Sequence, residues 1–487
     1  MGDQIIGVFR AAIGALGLVV GAAALAPGAH AAPSSTAAAI QASETDILPM
    51  VQVRGRPPHP HTLAEEMAIR HVPAFSIAVA DHGKILWAKA YGLADVATHR
   101  RANVHTLFQA ASISKPVAAS AAMQLVQEGK LNLDADINTE LKSWHTPESP
   151  LTKTTPITLR GLLTHTAGLT VHGFPGYAAG EPIPTVVQLL EGKPPANTEA
   201  VVSDHKPGEH WSYSGGGITI AQLAMTDVTG EPFPKLMHDR VLGPVGMSDS
   251  TYEQPLPGPR RANAAHAYLT SGEAVKGDWH TYPEMAAAGL WTTPTDLTKW
   301  AFALQSANDG RPSKLMSQAT AKAMLTPGLG DWGLGVEVKG EGDARWFQHS
   351  GGNWGFRSNL IAWTSGGRVI AVMGNGDDAY ILCMEATQAV ARHFGWKGVD
   401  AKLLDAVAVP VAELAPLAGK YGGGQAVLAL EEQTLVSISD GKAVEMVPVG
   451  HDQFFQASDG LSITIVRDAA GKPTGLRVGD QVLKRDS

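Results

Sequence analysis

Ser112 and Lys115 stand three residues apart in the run Phe108-Gln109-Ala110-Ala111-Ser112-Ile113-Ser114-Lys115-Pro116. On a helix this spacing puts both on one face, with Cβ atoms about 5–6 Å apart. A serine hydroxyl is a weak nucleophile until a base takes its proton, and a neutral amine can do so. Lysine ordinarily titrates near about 10.4, so the amine must be buried or flanked by cations to serve as a base. The pair points to acyl transfer through a serine ester.

The surrounding residues support a buried helix start. Residues 106–111 are apolar and small, and 117–126 are apolar nearly all round, as in a central helix. Pro116 falls in the first turn, where its missing N–H costs nothing. Gly129 is placed as a stop. Ser203–Lys206 and Ser439–Lys442 repeat the spacing, but the first runs into Pro207-Gly208 and the second spans Asp440-Gly441. Both read as loops.

Two further stretches carry chemistry-bearing residues. Trp211-Ser212-Tyr213-Ser214-Gly215-Gly216-Gly217 joins a tyrosine to a glycine-rich loop leading into a helix. A phenol there can act as a base or shuttle a proton if cations depress its pKa, although a lone tyrosine on a loop is more often structural. Phe347-Gln348-His349-Ser350-Gly351-Gly352-Asn353 reads as a strand end entering a turn. His349 could hydrogen-bond a phenol or a substrate carboxylate, and the Gly352 N–H could face a developing oxyanion opposite the N–H of Ser112.

These residues need a scaffold. Thr62 and Glu65 predict a capping box opening a helix to about Arg70. Residues 74–79 and 84–91 predict a hairpin about Asp81-His82-Gly83. The centre, 131–305, mixes helix and loop, with helices over 158–163 and 218–228. Strands return at 359–363 and 368–373, and a helix over 380–394 closes the domain. Strands early and late, with helices inserted between, predict an α+β fold whose antiparallel sheet pairs distant parts of the chain. Beyond about 398 come strand-like runs at 434–438, 444–449, 453–456, 461–466 and 475–478, a small antiparallel β domain. The expected organisation is a signal peptide over 1–31, a flexible segment over 32–61, a catalytic domain over 62–397 and a β domain over 398–487.

The address label rests on Arg10, the apolar run 11–26 and Ala29-His30-Ala31, which fits a cleavage site. It predicts a periplasmic or secreted protein with no stable membrane insertion after cleavage. The 487 residues carry a net charge of -8, so no basic field invites nucleic acid. Cys383 is the single cysteine and reads as a buried small hydrophobe. His59 and His61 lack a third nearby ligand, so neither metal nor cofactor is expected. No Gly-x-Ser-x-Gly elbow occurs, which disfavours an α/β-hydrolase. Gly328-x-Gly330-x-x-Gly333 matches a dinucleotide fingerprint but precedes an expected strand, 334–338, and is set aside.

Taken as an ordered set, Ser-x-x-Lys, Tyr and His-x-Gly resemble the serine β-lactamase and penicillin-binding-protein superfamily in its class C-like branch. That branch includes D-alanyl-D-alanine carboxypeptidases and family VIII carboxylesterases. The stretches 162–169, 242–247, 288–297 and 374–377 match as well, over roughly 45–397. The tail, with Leu417-Ala418-Gly419-Lys420-Tyr421, resembles appended lipocalin-like β modules. The resemblance implies that Ser112 attacks and holds the acyl group, that Lys115 and Tyr213 share its proton, and that His349 tunes the tyrosine or binds substrate. It implies an oxyanion hole of the Ser112 and Gly352 amides, with Gly351 and Gly215 lining the site. The implied substrate is a small-molecule ester, a D-peptide amide derived from peptidoglycan, or a β-lactam; a non-turnover penicillin sensor is the alternative. Gly215 stands where the family often has asparagine, and His349 where it often has lysine. Both departures argue against an efficient β-lactamase, and a required neutral His349 would make activity fall in acid.

Overall fold

The structure is a computed structural model that describes residues 35–439, 442–458, 460–479 and 481–486. The predicted signal peptide and the Asp440-Gly441 turn lie outside the described residues. Two compact units form, one of Ala32–Thr45 and Thr62–Val399, the other taking in Asp46–His61 and Asp400–Ser487.

The larger unit is built on a seven-stranded antiparallel sheet. Its strands are β1 (Ala74–Asp81), β2 (Lys84–Asp95), β3 (Arg100–Arg101), β4 (Glu337–Lys339), β5 (Trp346–Asn353), β6 (Phe356–Trp363) and β7 (Val369–Gly374). The order is β3-β2-β1-β7-β6-β5-β4, so the early hairpin and the late strands meet where β1 pairs with β7. Every residue of β7 is buried, and every residue of β1 except its last. Burial at successive positions means that both faces of these strands are covered, which is why they read as continuous apolar runs. Strand 334–338 is corrected to Glu337–Lys339: Gly335, at φ +90°, breaks the extended run.

Six helices matter to the site or the core: α1 (Leu63–Ile69), α2 (Ser114–Gln127), α3 (Gly215–Thr229), α4 (Met285–Ala288), α5 (Pro294–Asn308) and α6 (Ala379–His393). Thr62 and Glu65 form the expected capping box of α1. α5 packs on β1 and β7, and α6 on β6 and β7. α2 is buried along almost its whole length, and its alanines let neighbouring elements approach closely. It does not begin at Ser112; a 3₁₀ turn, Ala111–Ile113, precedes it. The segment expected to be loose contains a helix, Thr36–Thr45, packed on α6, with Lys89 donating to Glu44 at 2.6 Å.

The other unit is an eight-stranded antiparallel sheet, β8 (Gly419–Tyr421), β9 (Ala426–Glu431), β10 (Thr434–Ser439), β11 (Lys442–Pro448), β12 (Gln453–Gln456), β13 (Ser462–Arg467), β14 (Pro473–Val478) and β15 (Gln481–Lys484), in sequential order. A bridge between Tyr421 and Arg485 brings its two ends together, making it a nearly closed barrel around Leu428, Phe454, Ile463 and Leu476. β8, β9 and β15 are additions to the expected strands. Val51–Val53 pairs in parallel with Lys402–Leu404, which assigns Asp46–His61 to this unit.

Candidate active site

The 3₁₀ turn presents Ser112, and the first turn of α2 brings Lys115 back against it. Lys115 Nζ lies 2.8 Å from Ser112 Oγ and donates to the Ala287 carbonyl at 2.8 Å. The lysine is 3% exposed. Burial pulls its pKa down to about 7, with the Glu284 carboxyl pulling the other way. A neutral amine at hydrogen-bond distance from a serine hydroxyl is the geometry of a nucleophile and its base.

The turn is strained and held from several sides. Ala111 sits at φ +50°, a left-handed conformation that costs a residue bearing a Cβ on the order of 1–3 kcal/mol. Ser114 Oγ donates to the Ala111 carbonyl and accepts from the Leu290 N–H at 2.9 Å. Tyr252 donates to the Ser114 carbonyl at 2.7 Å, and Ser358 Oγ donates to the Ala110 carbonyl at 2.9 Å. β5 packs directly on this turn.

Tyr213 precedes α3, whose N-cap Ser214 accepts from the Gly217 N–H at 2.9 Å. Ser112 pulls the pKa of the Tyr213 phenol down. Its ring lies 5.0 Å from Lys115 Nζ, 4.3 Å from the His165 ring and 5.9 Å from the Trp332 ring, between centroids for the ring pairs. Burial outweighs the lowering influence of Ser112 and pushes the phenol above its ordinary range. Tyr213 is therefore a neutral phenol that can pass a proton, not a standing phenolate.

His349 lies within β5 rather than at its end, and Gly351 and Gly352 continue the strand. Its ring centroid is 6.1 Å from that of Tyr213. His349 Nδ1 is 2.6 Å from the Ser350 carbonyl, so Nδ1 carries the proton and Nε2 presents a lone pair. Nε2 is buried without a hydrogen-bond partner. Burial holds the ring neutral, with a pKa of about 3 and nearby Lys115 as a second cause. In this state His349 accepts a hydrogen bond and offers nothing to a carboxylate, contrary to one expectation from sequence.

Gly351 and Gly215 mark close approaches. A Cβ on Gly215 would stand 2.8 Å from the Phe174 ring, so an asparagine there would have to displace Phe174. Gly352 pairs with Arg357, past the last β4–β5 pair at Gln348, and Arg357 is held by Asp377 at 2.8 Å. Among the described residues no group of three metal-ligating side chains occurs, and no helix is long and apolar enough to cross a membrane.

Sequence reasoning gave no role to several contributors. The Ala287 carbonyl and Trp332 were not anticipated. Gln222 on α3 accepts from the Ala286 N–H at 2.7 Å and donates to the Pro283 carbonyl at 3.2 Å, fixing α4 beside Lys115. His165 accepts from the Ser214 N–H at 3.2 Å through Nδ1 and supports the Tyr213 loop. Glu284 is a lone carboxylate in the otherwise apolar run 283–288, and that isolation is its one mark in the sequence.

The family model described as Beta-lactamase matches residues 61–381. Protein Rv1367c of Mycobacterium tuberculosis is 29% identical over 269 residues, covering 51% of this chain and 66% of that protein. The putative penicillin-binding protein PbpX of Bacillus subtilis is 28% identical, covering 53% of this chain and 61% of that protein. The chain thus spans less than two thirds of the length of either relative. Among solved structures, the octameric penicillin-binding protein homologue from Pyrococcus abyssi aligns with a TM-score of 0.58 at 20% identity, over 86% of this chain and 98% of that one.

Proposed function

The chain belongs to the beta-lactamase family, and from that premise we propose that it is a serine hydrolase acting through an acyl-enzyme on Ser112. The 2.8 Å contact between Lys115 Nζ and Ser112 Oγ carries the reading. The neutral amine takes the hydroxyl proton as Oγ attacks the acyl carbon. Tyr213 passes a proton toward the leaving group, and the Ser112 and Gly352 amides receive the oxyanion. A proton relay of this kind contributes roughly 10²–10⁴-fold to the rate, and one oxyanion donor roughly 10²–10³-fold.

The substrate class we assign is a small ester or D-configured amide without a carboxylate at the His349 position. Two observations favour it over a β-lactam. His349 is a neutral acceptor, and Phe174 stands where an amide at position 215 would project. Short-chain nitrophenyl esters, a D-Ala-D-Ala peptide amidated at its C-terminus and a chromogenic cephalosporin, assayed side by side with Ser112→Ala as control, test the assignment. Turnover of esters or amides above the cephalosporin supports it; preferred cephalosporin turnover refutes it.

A second reading, a sensor that acylates without turnover, draws on the name of the B. subtilis relative, a putative penicillin-binding protein. A persistent adduct by intact mass would favour that reading. Export through residues 1–31 completes the proposal, tested by a mature N-terminus at Ala32 in an exported fraction.

A further inference from the structure

Glu284 is fully buried, and neither of its carboxylate oxygens has a hydrogen-bond partner in another residue; its own backbone N–H is the one donor that acts on the carboxyl. It is the only carboxylate among the described residues in that condition. Burying a carboxyl without partners is costly, so a fold tolerates it where something else depends on the group. Glu284 immediately precedes α4, whose Ala287 carbonyl accepts from Lys115. Gln222 clamps the same segment on both sides of Glu284, at the Pro283 carbonyl and the Ala286 N–H. The backbone that carries the carboxyl is thus fixed against the segment that binds the amine.

The groups that feel Glu284 are few. Lys115 faces it from α2, Tyr282 from its own segment and Tyr177 from the loop that bridges to Thr281. Both phenols are driven toward their neutral forms by burial, so Lys115 is the one cation in this set. Around Lys115 itself stand the Tyr213 phenol and the His165 and His349 imidazoles, each held in its neutral form by burial.

Resting on the acyl-enzyme reading above, we propose that Glu284 is a positioning residue that sets the protonation of Lys115, and with it the pH at which Ser112 becomes nucleophilic. Ionised, the carboxylate favours the ammonium, which cannot take the serine proton. Protonated, it leaves Lys115 to its apolar surroundings, and the amine is free. Burial pushes the Glu284 carboxyl up and the Lys115 amine down, toward one another, so the two titrate as a coupled pair. Their interaction ties the onset of activity to the pair rather than to the lysine alone.

The test uses a fluorophosphonate probe, which phosphonylates an activated serine with loss of fluoride, so that no natural substrate is needed. Labelling of Ser112 is followed by intact mass from pH 5 to 9 in the full chain. In Glu284→Gln the negative charge is gone, and the acid limb of the labelling rate is expected to move to lower pH by about one unit, the lower end of the range for removal of a close charge. Glu284→Asp keeps the charge and is expected to hold the limb near the wild-type position. Should Glu284→Gln not fold, Glu284→Met supplies a second uncharged variant, read in the same way. A limb at the same pH in wild type and in both uncharged variants overturns the proposal, even if the rate has fallen. Absence of labelling on wild-type Ser112 overturns the acyl-enzyme reading itself and is told apart by that result.

Discussion

Gly351 of β5 and the Ala110 carbonyl of the nucleophile turn approach so closely that a Cβ on Gly351 would stand 2.1 Å from that oxygen. The same Cβ would stand 2.4 Å from Ser358 Oγ, which itself donates to the Ala110 carbonyl. Strand and turn are therefore in direct contact through a position that admits no side chain. Gly351→Ala must push them apart. A displacement of about 1 Å at the reacting atoms can cost on the order of 10²-fold in rate. We expect kcat/KM for a nitrophenyl ester to fall by roughly that factor while the fold is kept; wild-type kcat/KM in Gly351→Ala would show that the contact does not position Ser112.

The pH profile has a defined sign. The amine must be neutral to act, and Lys115 titrates near about 7, so kcat/KM should rise as pH passes upward through that value. His349, at about 3, stays neutral from pH 5 to 8 and contributes no limb in that window. His349→Gln is therefore expected to change the rate and leave the acid midpoint in place. A midpoint that shifts with His349→Gln would reassign the limb to the imidazole.

Stability should fall in acid for a separate reason. His165 and His349 are both buried with pKa values below that of a free histidine, burial being the largest cause for each. Between about 6.5 and the folded-state value the unfolded chain binds more protons, so stability drops as pH is lowered, by up to about 1.4 kcal/mol per pH unit per group. Thermal melts from pH 7 to 5 should show a smaller loss in His349→Gln than in wild type. Equal losses would mean that His349 is protonated in the folded state.

Gln222→Ala removes both clamps on α4. It leaves the Ala286 N–H and the Pro283 carbonyl buried and unpaired, at about 1–3 kcal/mol each. Urea denaturation should register a loss in that range, with a lower esterase rate because the Ala287 carbonyl no longer holds Lys115 in place. An unchanged midpoint would mean that water or a neighbour takes over both bonds.

How far the sequence announced this architecture depended on the range of the interactions. The Ser112–Lys115 relation is local, one turn of chain, and was legible from spacing and an apolar run. The hairpin β1–β2 and the cap of α1 were legible for the same reason. The strain at Ala111 was not, because the bonds that hold it come from Leu290, Tyr252 and Ser358, far away in sequence. Tyr213 and His349 could be named from motif order, yet their protonation could not. Burial decides it, and burial depends on Trp332, His165 and the packing of α3. Glu284 had no motif at all; only its position beside Lys115 in space gives it meaning. In the C-terminal unit, β8 and β15 are three and four residues long, too short for alternation to register, although they complete the barrel.

The most direct test is whether Ser112 carries the acyl group. Rapid quench of the full chain with a short-chain nitrophenyl ester, followed by intact mass and peptide mapping, should find one acyl adduct on Ser112 that forms in a burst and decays at the turnover rate, with Ser112→Ala giving neither adduct nor turnover. Undiminished hydrolysis by Ser112→Ala, or an adduct mapped to another residue, would contradict the account.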